Sequence, residues 1–334
     1  MTIGIAVIGA GIMGADHARI VAEDLPGASL RVICDMDAAR ARGLADRLGA
    51  ADAVTDPEAA IVRADIDAVI VASPDPTHAP LTLACIRMGK PVLCEKPLSP
   101  SPDECVAVMR AEAAAGRRLV QVGFMRRFDA AYGEMRRALT EGRLGRALMM
   151  HNLHRNVATP AADFTGAMAI TNSAPHEFDI ARHVLGTEIT GITACQPRRS
   201  DALVAPVVMV LDTADGQVVT VEVNNNAAYG YDVRAELVGE TASLSLATPA
   251  RTRLDGGLAS STAYDADWRG RFAAAYAAQD RAFLHFAATG DFPEGGASAW
   301  DGYAAAQVAA TGVRALAEGG RMPVALIAKP EFYA

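Results

Sequence analysis

A glycine-rich segment follows the first apolar run of the chain and has the residue types that bind a dinucleotide. It reads Gly-Ala-Gly-Ile-Met-Gly from residue 9 to residue 14. Glycines at these spacings permit a tight turn, a close approach of backbone to pyrophosphate, and close packing of helix on strand. The N-terminus of the following helix also favours the phosphate charge. We therefore predict that a dinucleotide is contacted by Gly9, Gly11, Ile12, Met13 and Gly14.

Asp35 ends the second apolar run, where an acidic residue would bind the hydroxyl groups of the adenosine ribose. A carboxylate at this position repels a 2′-phosphate, and no arginine follows it immediately, so the sequence favours NAD over NADP. The alternative role for Asp35 is that of a helix cap, because a helix is predicted over residues 37–48. The glycine-rich segment upstream favours the ribose role.

A lysine, Lys96, stands within a Glu-Lys-Pro segment at the C-terminal end of a predicted parallel strand. Open α/β sheets bind ligands at this edge, so Lys96 is well placed to face a nicotinamide and a substrate oxygen. Its alternative role is that of a solvated surface lysine. The predicted cofactor-binding set is completed by Ser73, Pro74, His78, Glu95 and Lys96.

His176 lies in the first turn of a predicted helix that ends at Gly186. A helix N-terminus disfavours the imidazolium, so His176 is expected to be neutral and able to accept a proton. A structural histidine is the alternative, and Asn172 is either a substrate ligand or a helix cap. The pair His-Glu also begins a zinc-protease motif, which would need a second histidine where Ile180 stands. No other metal spacing occurs, and we predict no metal site.

Three further polar residues border apolar strands and could bind substrate hydroxyl groups. By residue type alone, each is more often an ordinary surface or strand-edge residue. They are Arg126, His154 and Tyr231.

The elements that carry these residues alternate between strand and helix in the first third of the chain. One of these helices is predicted to begin at a capping box, Ser-Pro-Asp-Glu over residues 101–104, with its proline at the first helical position. Val-rich and Ile-rich runs without alternation are typical of strands buried on both faces, and hence of a parallel sheet covered by helices. We predict a Rossmann domain, a doubly wound parallel sheet that binds NAD, over residues 1–123.

Longer strands dominate after Phe124, and Asp215-Gly216 between two of them has the composition of a two-residue hairpin turn. Two late helices, over residues 272–288 and 300–318, are assigned to the same part of the chain. We predict a C-terminal α+β domain over residues 124–334, built on a large open mixed or antiparallel sheet.

Composition restricts the class of protein. The chain has 334 residues and a net charge of −8, which gives no electrostatic footprint for nucleic acid. No run approaches the about 20 apolar residues of a membrane span. The N-terminus resembles no export signal, and five cysteines without a CxxC pair are typical of reduced thiols. We expect a cytoplasmic protein.

Motifs along the whole chain resemble the glucose-fructose oxidoreductase and inositol dehydrogenase family, and most closely its inositol 2-dehydrogenases. The Glu-Lys-Pro and His-Glu-x-Asp strings are typical of the whole family. Three other strings are more typical of inositol dehydrogenases: Gly-Phe-Met-Arg-Arg from residue 123, His-Arg-Asn from residue 154, and Tyr-Gly-Tyr-Asp from residue 229.

The resemblance implies a homotetramer joined through the open sheet, and an active site between the domains. It matches Lys96 to a catalytic lysine and His176 to a catalytic histidine, and it places Arg126, His154 and Tyr231 near the substrate. One position departs from the pattern: Asn172 stands where inositol dehydrogenases usually carry an aspartate. This departure leaves the reaction class unchanged and bears on which polyol is used.

We predict NAD-dependent oxidation of a secondary hydroxyl of a cyclic polyol, with myo- or scyllo-inositol oxidised to the inosose. A related sugar dehydrogenase acting on an aldose is the alternative, because a pyranose presents nearly the same ring of hydroxyl groups. A non-catalytic NAD-dependent regulator is disfavoured because Lys96 and His176 are both retained. An NAD-dependent glycosidase is disfavoured by the inositol-type strings.

Overall fold

The computed structural model describes residues 2–199, 201, 203–247 and 253–334. Two compact units share these residues. The first extends to Phe128 and also takes in Ala274–Ala306 and Ile327–Ala334. The second comprises Asp129–Ala273 and Gln307–Leu326.

Six parallel strands form the sheet of the first unit, in the order β3-β2-β1-β4-β5-β6. They are β1 (Ile3–Ile8), β2 (Ala28–Cys34), β3 (Asp52–Val54), β4 (Ala68–Val71), β5 (Val92–Glu95) and β6 (Val120–Gly123). The connecting helices are α1 (Ile12–Arg19), α2 (Ala38–Leu48), α3 (Pro57–Val62), α4 (His78–Arg87) and α5 (Pro102–Ala114). Every residue of β1, β4, β5 and β6 is buried, which explains their continuous apolar runs and confirms the predicted doubly wound sheet.

Helix α5 begins as predicted, with Pro102 in its first turn and Ser101 as its N-cap. The predicted capping box is altered, however. The Glu104 carboxylate accepts a hydrogen bond from the Ser99 hydroxyl, and the Ser101 N–H donates to the Ser99 oxygen instead of to Glu104. The hydroxyl of Ser99 therefore lies between Ser101 and Glu104, the two partners of the usual capping box.

A seven-stranded mixed sheet dominates the second unit, in the order β12-β11-β7-β10-β9-β8-β15. Its strands are β7 (Ala147–Arg155), β8 (Ile189–Cys195), β9 (Val207–Thr213), β10 (Val218–Asn224), β11 (Asp232–Gly239), β12 (Ser243–Ser245) and β15 (Arg321–Pro323). A separate hairpin pairs β13 (Arg253–Gly256) with β14 (Ala259–Thr262). Only β7 and β10 run parallel among the described neighbours, so the predicted mixed sheet is confirmed.

One face of this sheet is covered and the other is open. Helices α6 (Ala130–Thr140), α7 (Gly166–Met168) and α8 (Pro175–Leu185) belong to the same unit, and α8 packs on β7. Buried residues alternate along β9 with the exposed Val208 and Val210, as expected for a sheet with one solvated face.

The predicted hairpin between β9 and β10 is present, but its loop is longer than two residues. The Thr213 N–H donates to the Gln217 carbonyl at 3.1 Å, and Gly216 has a φ of 85°. The glycine supplies the left-handed conformation that closes this loop.

The late helices α9 (Trp268–Thr289) and α10 (Ala299–Glu318) contribute to both units. Asp280 of α9 lies 2.8 Å from His17 of α1, and the Val122 N–H donates to the Ala297 carbonyl at 2.8 Å. The compact units therefore differ from a single division into residues 1–123 and 124–334. Helix periodicity could not reveal this, because it shows that a face is buried but not which partner buries it.

All five cysteines are free thiols, and four of them are buried. Among the residues that the structure describes, no helix is both long enough and apolar enough to cross a membrane.

Candidate functional site

The turn between β1 and α1 has the shape that a dinucleotide needs. Gly9 has a φ of 99°, and a Cβ there would lie 2.4 Å from the Ala72 carbonyl oxygen. A Cβ at Gly14 would lie 1.8 Å from the Gly9 carbonyl oxygen, so helix and turn pack too closely for any other residue. A Cβ at Gly11 would meet nothing within 4 Å, and Ile12 beside it is exposed. The turn is thus tight on its inner side and open on the side where a pyrophosphate would approach.

Gly11 is the N-cap of α1 and has no side chain that could accept from the first N–H groups of the helix. These N–H groups and the positive end of the helix dipole suit a phosphate. The residues present therefore fit the predicted cofactor.

Asp35 follows β2 directly and turns its carboxylate toward this turn. One oxygen accepts the Ala10 N–H at 2.8 Å, and the other accepts the Asp37 N–H at 2.9 Å. The N-cap of α2 is Asp37, so the helix-cap alternative for Asp35 is wrong. Sequence reasoning missed Arg40, whose guanidinium lies 3.6 Å from Asp35.

Lys96 follows β5 and is half-buried, which argues against a fully solvated surface lysine. Burial lowers the pKa of its amine. The charges of Glu95 and Asp75 oppose this effect, whereas Arg126 adds to it. A lysine with a lowered pKa at the edge of an α/β sheet is a candidate functional residue.

His78 joins the loops that follow β4 and β5. Its Nδ1 lies 2.7 Å from the Pro97 carbonyl oxygen, and its Nε2 lies 2.7 Å from that of Ser73. Both partners can only accept, so this geometry favours the doubly protonated ring. Burial lowers the pKa of His78, but Cys94 and the two carbonyl groups raise it to about 10. Within the predicted cofactor set, His78 thus holds the loop of Ser73 and Pro74 against the segment of Lys96.

Arg126 lies in a 3₁₀ turn after β6 and is only 1% exposed, which is rare for an arginine. Its charge contributes to the lowered pKa of Lys96. The neighbouring Arg127 has a structural partner, because it pairs with Asp301 at 2.9 Å.

In the second unit, three predicted substrate residues meet in one buried cluster. The ring centroid of His154 lies 6.2 Å from that of His176 and 6.1 Å from that of Tyr231. Glu177 is fully buried beside them, with an oxygen 3.1 Å from the His154 Nδ1. The cluster thus combines two imidazoles, a phenol and a carboxylate in a site of low exposure.

Asn172 lies one helical turn before His176, in a π-helical turn over Ala169–Ser173. The N-cap of α8 is Ala174, with no side-chain cap, and the helical segment begins earlier, where Thr165 caps α7. Asn172 is therefore not the cap of α8. π-Helical turns within helices occur frequently at functional sites.

Besides Arg40, two other residues in the first unit were not singled out from the sequence. His17 and Asp280 form a buried chain with Glu95, the residue that precedes Lys96. The one feature of the sequence that could have pointed to this chain is a histidine, His17, on a helix that otherwise packs on the sheet. Among the described residues, no group of three or more His, Cys, Asp or Glu side chains could hold a metal ion.

Comparisons with known proteins agree with the fold and with an NAD-binding first unit. Residues 3–124 match an oxidoreductase family with an NAD-binding Rossmann fold, and residues 132–245 match the GFO/IDH/MocA C-terminal domain. Inositol 2-dehydrogenase 2 of Saccharopolyspora erythraea is 47% identical, over 100% of this chain and 99% of that protein. Inositol 2-dehydrogenase of Streptomyces avermitilis is 42% identical, over 99% and 97% of the respective chains.

The fold also matches a solved structure along its whole length. The crystal structure of myo-inositol dehydrogenase from Lactobacillus casei, in complex with NAD(H) and myo-inositol, has a TM-score of 0.94. The two chains are 30% identical, and each is covered completely.

Proposed function

Because the chain belongs to the GFO/IDH/MocA family of oxidoreductases with an NAD-binding Rossmann fold, we propose that it oxidises a secondary hydroxyl of inositol with NAD. The observation that carries the proposal is the buried cluster of His154, His176 and Tyr231, which supplies polar groups for a compact polyol. The names of its relatives and of the solved structure make myo-inositol the first substrate to test.

NAD would be held at the Gly9–Gly14 turn, with Asp35 at the ribose, and when bound it supplies the acceptor for a hydride. The turn provides backbone N–H groups and an unobstructed surface for the pyrophosphate. Asp35 provides a carboxylate that suits a ribose diol and repels a 2′-phosphate.

His176 accepts the proton of the reacting hydroxyl, which a neutral imidazole does well near neutral pH. Lys96 donates a hydrogen bond to the same oxygen and stabilises the negative charge that develops there. Arg126, His154, Asn172 and Tyr231 bind the other hydroxyl groups. Asn172 offers both a donor and an acceptor, whereas the aspartate usual at this position only accepts.

The open face of the second-unit sheet supports a homotetramer. Val208 and Val210 are each more than a third exposed on this face, and another copy that packs there would bury them. The five free cysteines support a cytoplasmic location, where thiols stay reduced.

A substrate panel tests the reaction. We expect NAD reduction with myo- or scyllo-inositol at a kcat/KM at least tenfold above that with D-glucose or L-glucose. The kcat/KM for D-chiro-inositol shows how selective the enzyme is for the configuration of the ring hydroxyl groups. Turnover of glucose with no turnover of any inositol would replace this proposal with the aldose dehydrogenase alternative.

A further inference from the structure

A chain of three buried ionisable residues lies behind Lys96 in the first unit. His17 of α1 is fully buried, its Nε2 lies 3.0 Å from a Glu95 oxygen, and its Nδ1 lies 2.8 Å from an Asp280 oxygen. Carboxylate oxygens only accept hydrogen bonds, so both ring nitrogens donate. His17 is therefore an imidazolium between two carboxylates.

The surroundings of His17 maintain this charge. Burial lowers the pKa of the imidazole, but Asp280 and Glu95 outweigh it and raise the pKa to about 10. The other polar side chains that approach from α9 are Tyr276, whose ring meets the imidazole edge-on at 5.9 Å, and Gln279, whose amide contacts Asp280. Neither is an anion at neutral pH, so the two carboxylates determine the state of His17.

Glu95 connects this chain of ionisable residues to Lys96. While one of its oxygens binds His17, the other accepts the backbone N–H of Lys96 at 3.1 Å. Gly123 of β6 leaves the room for this carboxylate, because a Cβ there would lie 2.9 Å from the Glu95 Oε1. The carboxylate is thus held between the His17 ring and the Lys96 N–H, next to Gly123.

We propose that Asp280 and His17 are positioning residues that act through Glu95 to fix the orientation and the positive charge of Lys96. The inference rests on the proposed role of Lys96 in the reaction. A buried ion chain is a poor source of stability, since apolar residues of similar volume often serve a fold as well. Its place directly behind Lys96 indicates a role in the reaction besides any contribution to stability.

A matched pair of variants at His17 separates its contact with Glu95 from its contact with Asp280. In His17→Gln, the terminal amide reaches the position of Nε2 and keeps a donor to Glu95. In His17→Asn, the amide reaches only the position of Nδ1 and keeps Asp280 instead. Both variants lose the charge, so they differ mainly in the link to Glu95. We expect kcat to fall at least tenfold in His17→Asn and to be at least threefold higher in His17→Gln than in His17→Asn.

Glu95→Gln tests the effect on charge. Removal of this carboxylate leaves Arg126 and burial to lower the pKa of Lys96, opposed by Asp75. The alkaline limb of the pH profile of kcat, which reports loss of the Lys96 proton, should move to lower pH by at least half a unit. Glu112→Gln is the matched control: Glu112 is a fully buried carboxylate of the same unit that binds the N–H groups of Leu119 and Val120 and the Tyr333 hydroxyl. It should leave kcat and the limb unchanged.

Each variant is first checked for folding by its melting temperature and for NAD binding by fluorescence titration. If Glu95→Gln does not fold, the comparison of the two His17 variants tests the positioning role. If the His17 variants do not fold, the shift of the alkaline limb in Glu95→Gln tests it. Equal kcat in folded His17→Gln and His17→Asn, or an unmoved limb in folded Glu95→Gln, would overturn the positioning role. Failure of the proposed function is distinguishable, because the wild type would then reduce no NAD with any inositol.

Discussion

Asp35 shows how a single carboxylate is expected to select the cofactor. It is held beside the glycine-rich turn by the N–H groups of Ala10 and Asp37, so it cannot swing away from a 2′-phosphate without losing both. We expect kcat/KM to favour NAD over NADP at least tenfold, which corresponds to about 1.4 kcal/mol. Asp35→Ser should narrow this preference chiefly by raising KM for NAD. Equal use of both cofactors by the wild type would contradict the ribose assignment.

Asn172 is the residue at which this chain leaves the inositol dehydrogenase pattern. In Asn172→Asp, a carboxylate one turn from His176 should favour the imidazolium and raise its pKa. A base is active when deprotonated, so the acidic limb of the pH profile of kcat/KM should move to higher pH. The order of preference among polyols should also change, since a group that only accepts replaces one that also donates.

The control for this variant is Thr171→Ser, which changes a neighbouring position in the same π-helical turn without adding charge. It should preserve both the limb and the substrate order. If Asn172→Asp also preserved both, Asn172 would have no part in catalysis or specificity.

At the scale of elements, the linkage between α1 and α9 through His17 makes a prediction about stability. The pKa of His17 is about 10 in the folded protein against 6.5 for an ordinary histidine. Its ionic contribution to stability is therefore complete below pH 6.5 and is lost as the pH rises toward 10. The wild type should melt at a higher temperature than His17→Gln. The difference between the two melting temperatures should be largest near pH 6 and smaller at pH 10. A difference independent of pH would show that His17 is not charged in the folded state.

Local patterns predicted most elements, because strand burial and helix capping depend on residues that are close together in the sequence. The continuous apolar runs of β4 and β5 and the Ser-Pro start of α5 are examples. Features that depend on distant partners were not predictable in this way. The partnership of His17 with Asp280 spans 263 positions, and it brings part of α9 into the first unit.

The candidate site shows the same division between local and distant information. The glycine-rich turn and Lys96 could be proposed from strand ends, where α/β sheets bind ligands. The meeting of His154, His176 and Tyr231 depends on how β7, α8 and the residue before β11 pack, so residue types alone gave only separate candidates. The family resemblance grouped them, and the structure of the second unit brings them together.

At the scale of the whole molecule, the open sheet face leads to a prediction about assembly. Val210 lies on this face, paired across the strands with Thr193 and Thr220. We expect Val210→Glu to convert the proposed tetramer into smaller species, because burying a carboxylate between copies is costly. Light scattering coupled to size-exclusion chromatography measures the change. Val62→Glu, at an exposed position on α3, is the control and should leave the mass unchanged.

The central claim, that Lys96 acts in NAD-dependent oxidation of inositol, is tested most directly by NADH formation from myo-inositol in the wild type and in Lys96→Met. The wild type should reduce NAD, and kcat in the variant should fall by roughly 10²–10⁴ because the developing charge loses its donor. Binding of NAD to the variant should be nearly unchanged, since the glycine-rich turn that would hold it is intact. A variant that retains more than a third of the wild-type kcat, or a wild type inactive with every inositol, would contradict the account.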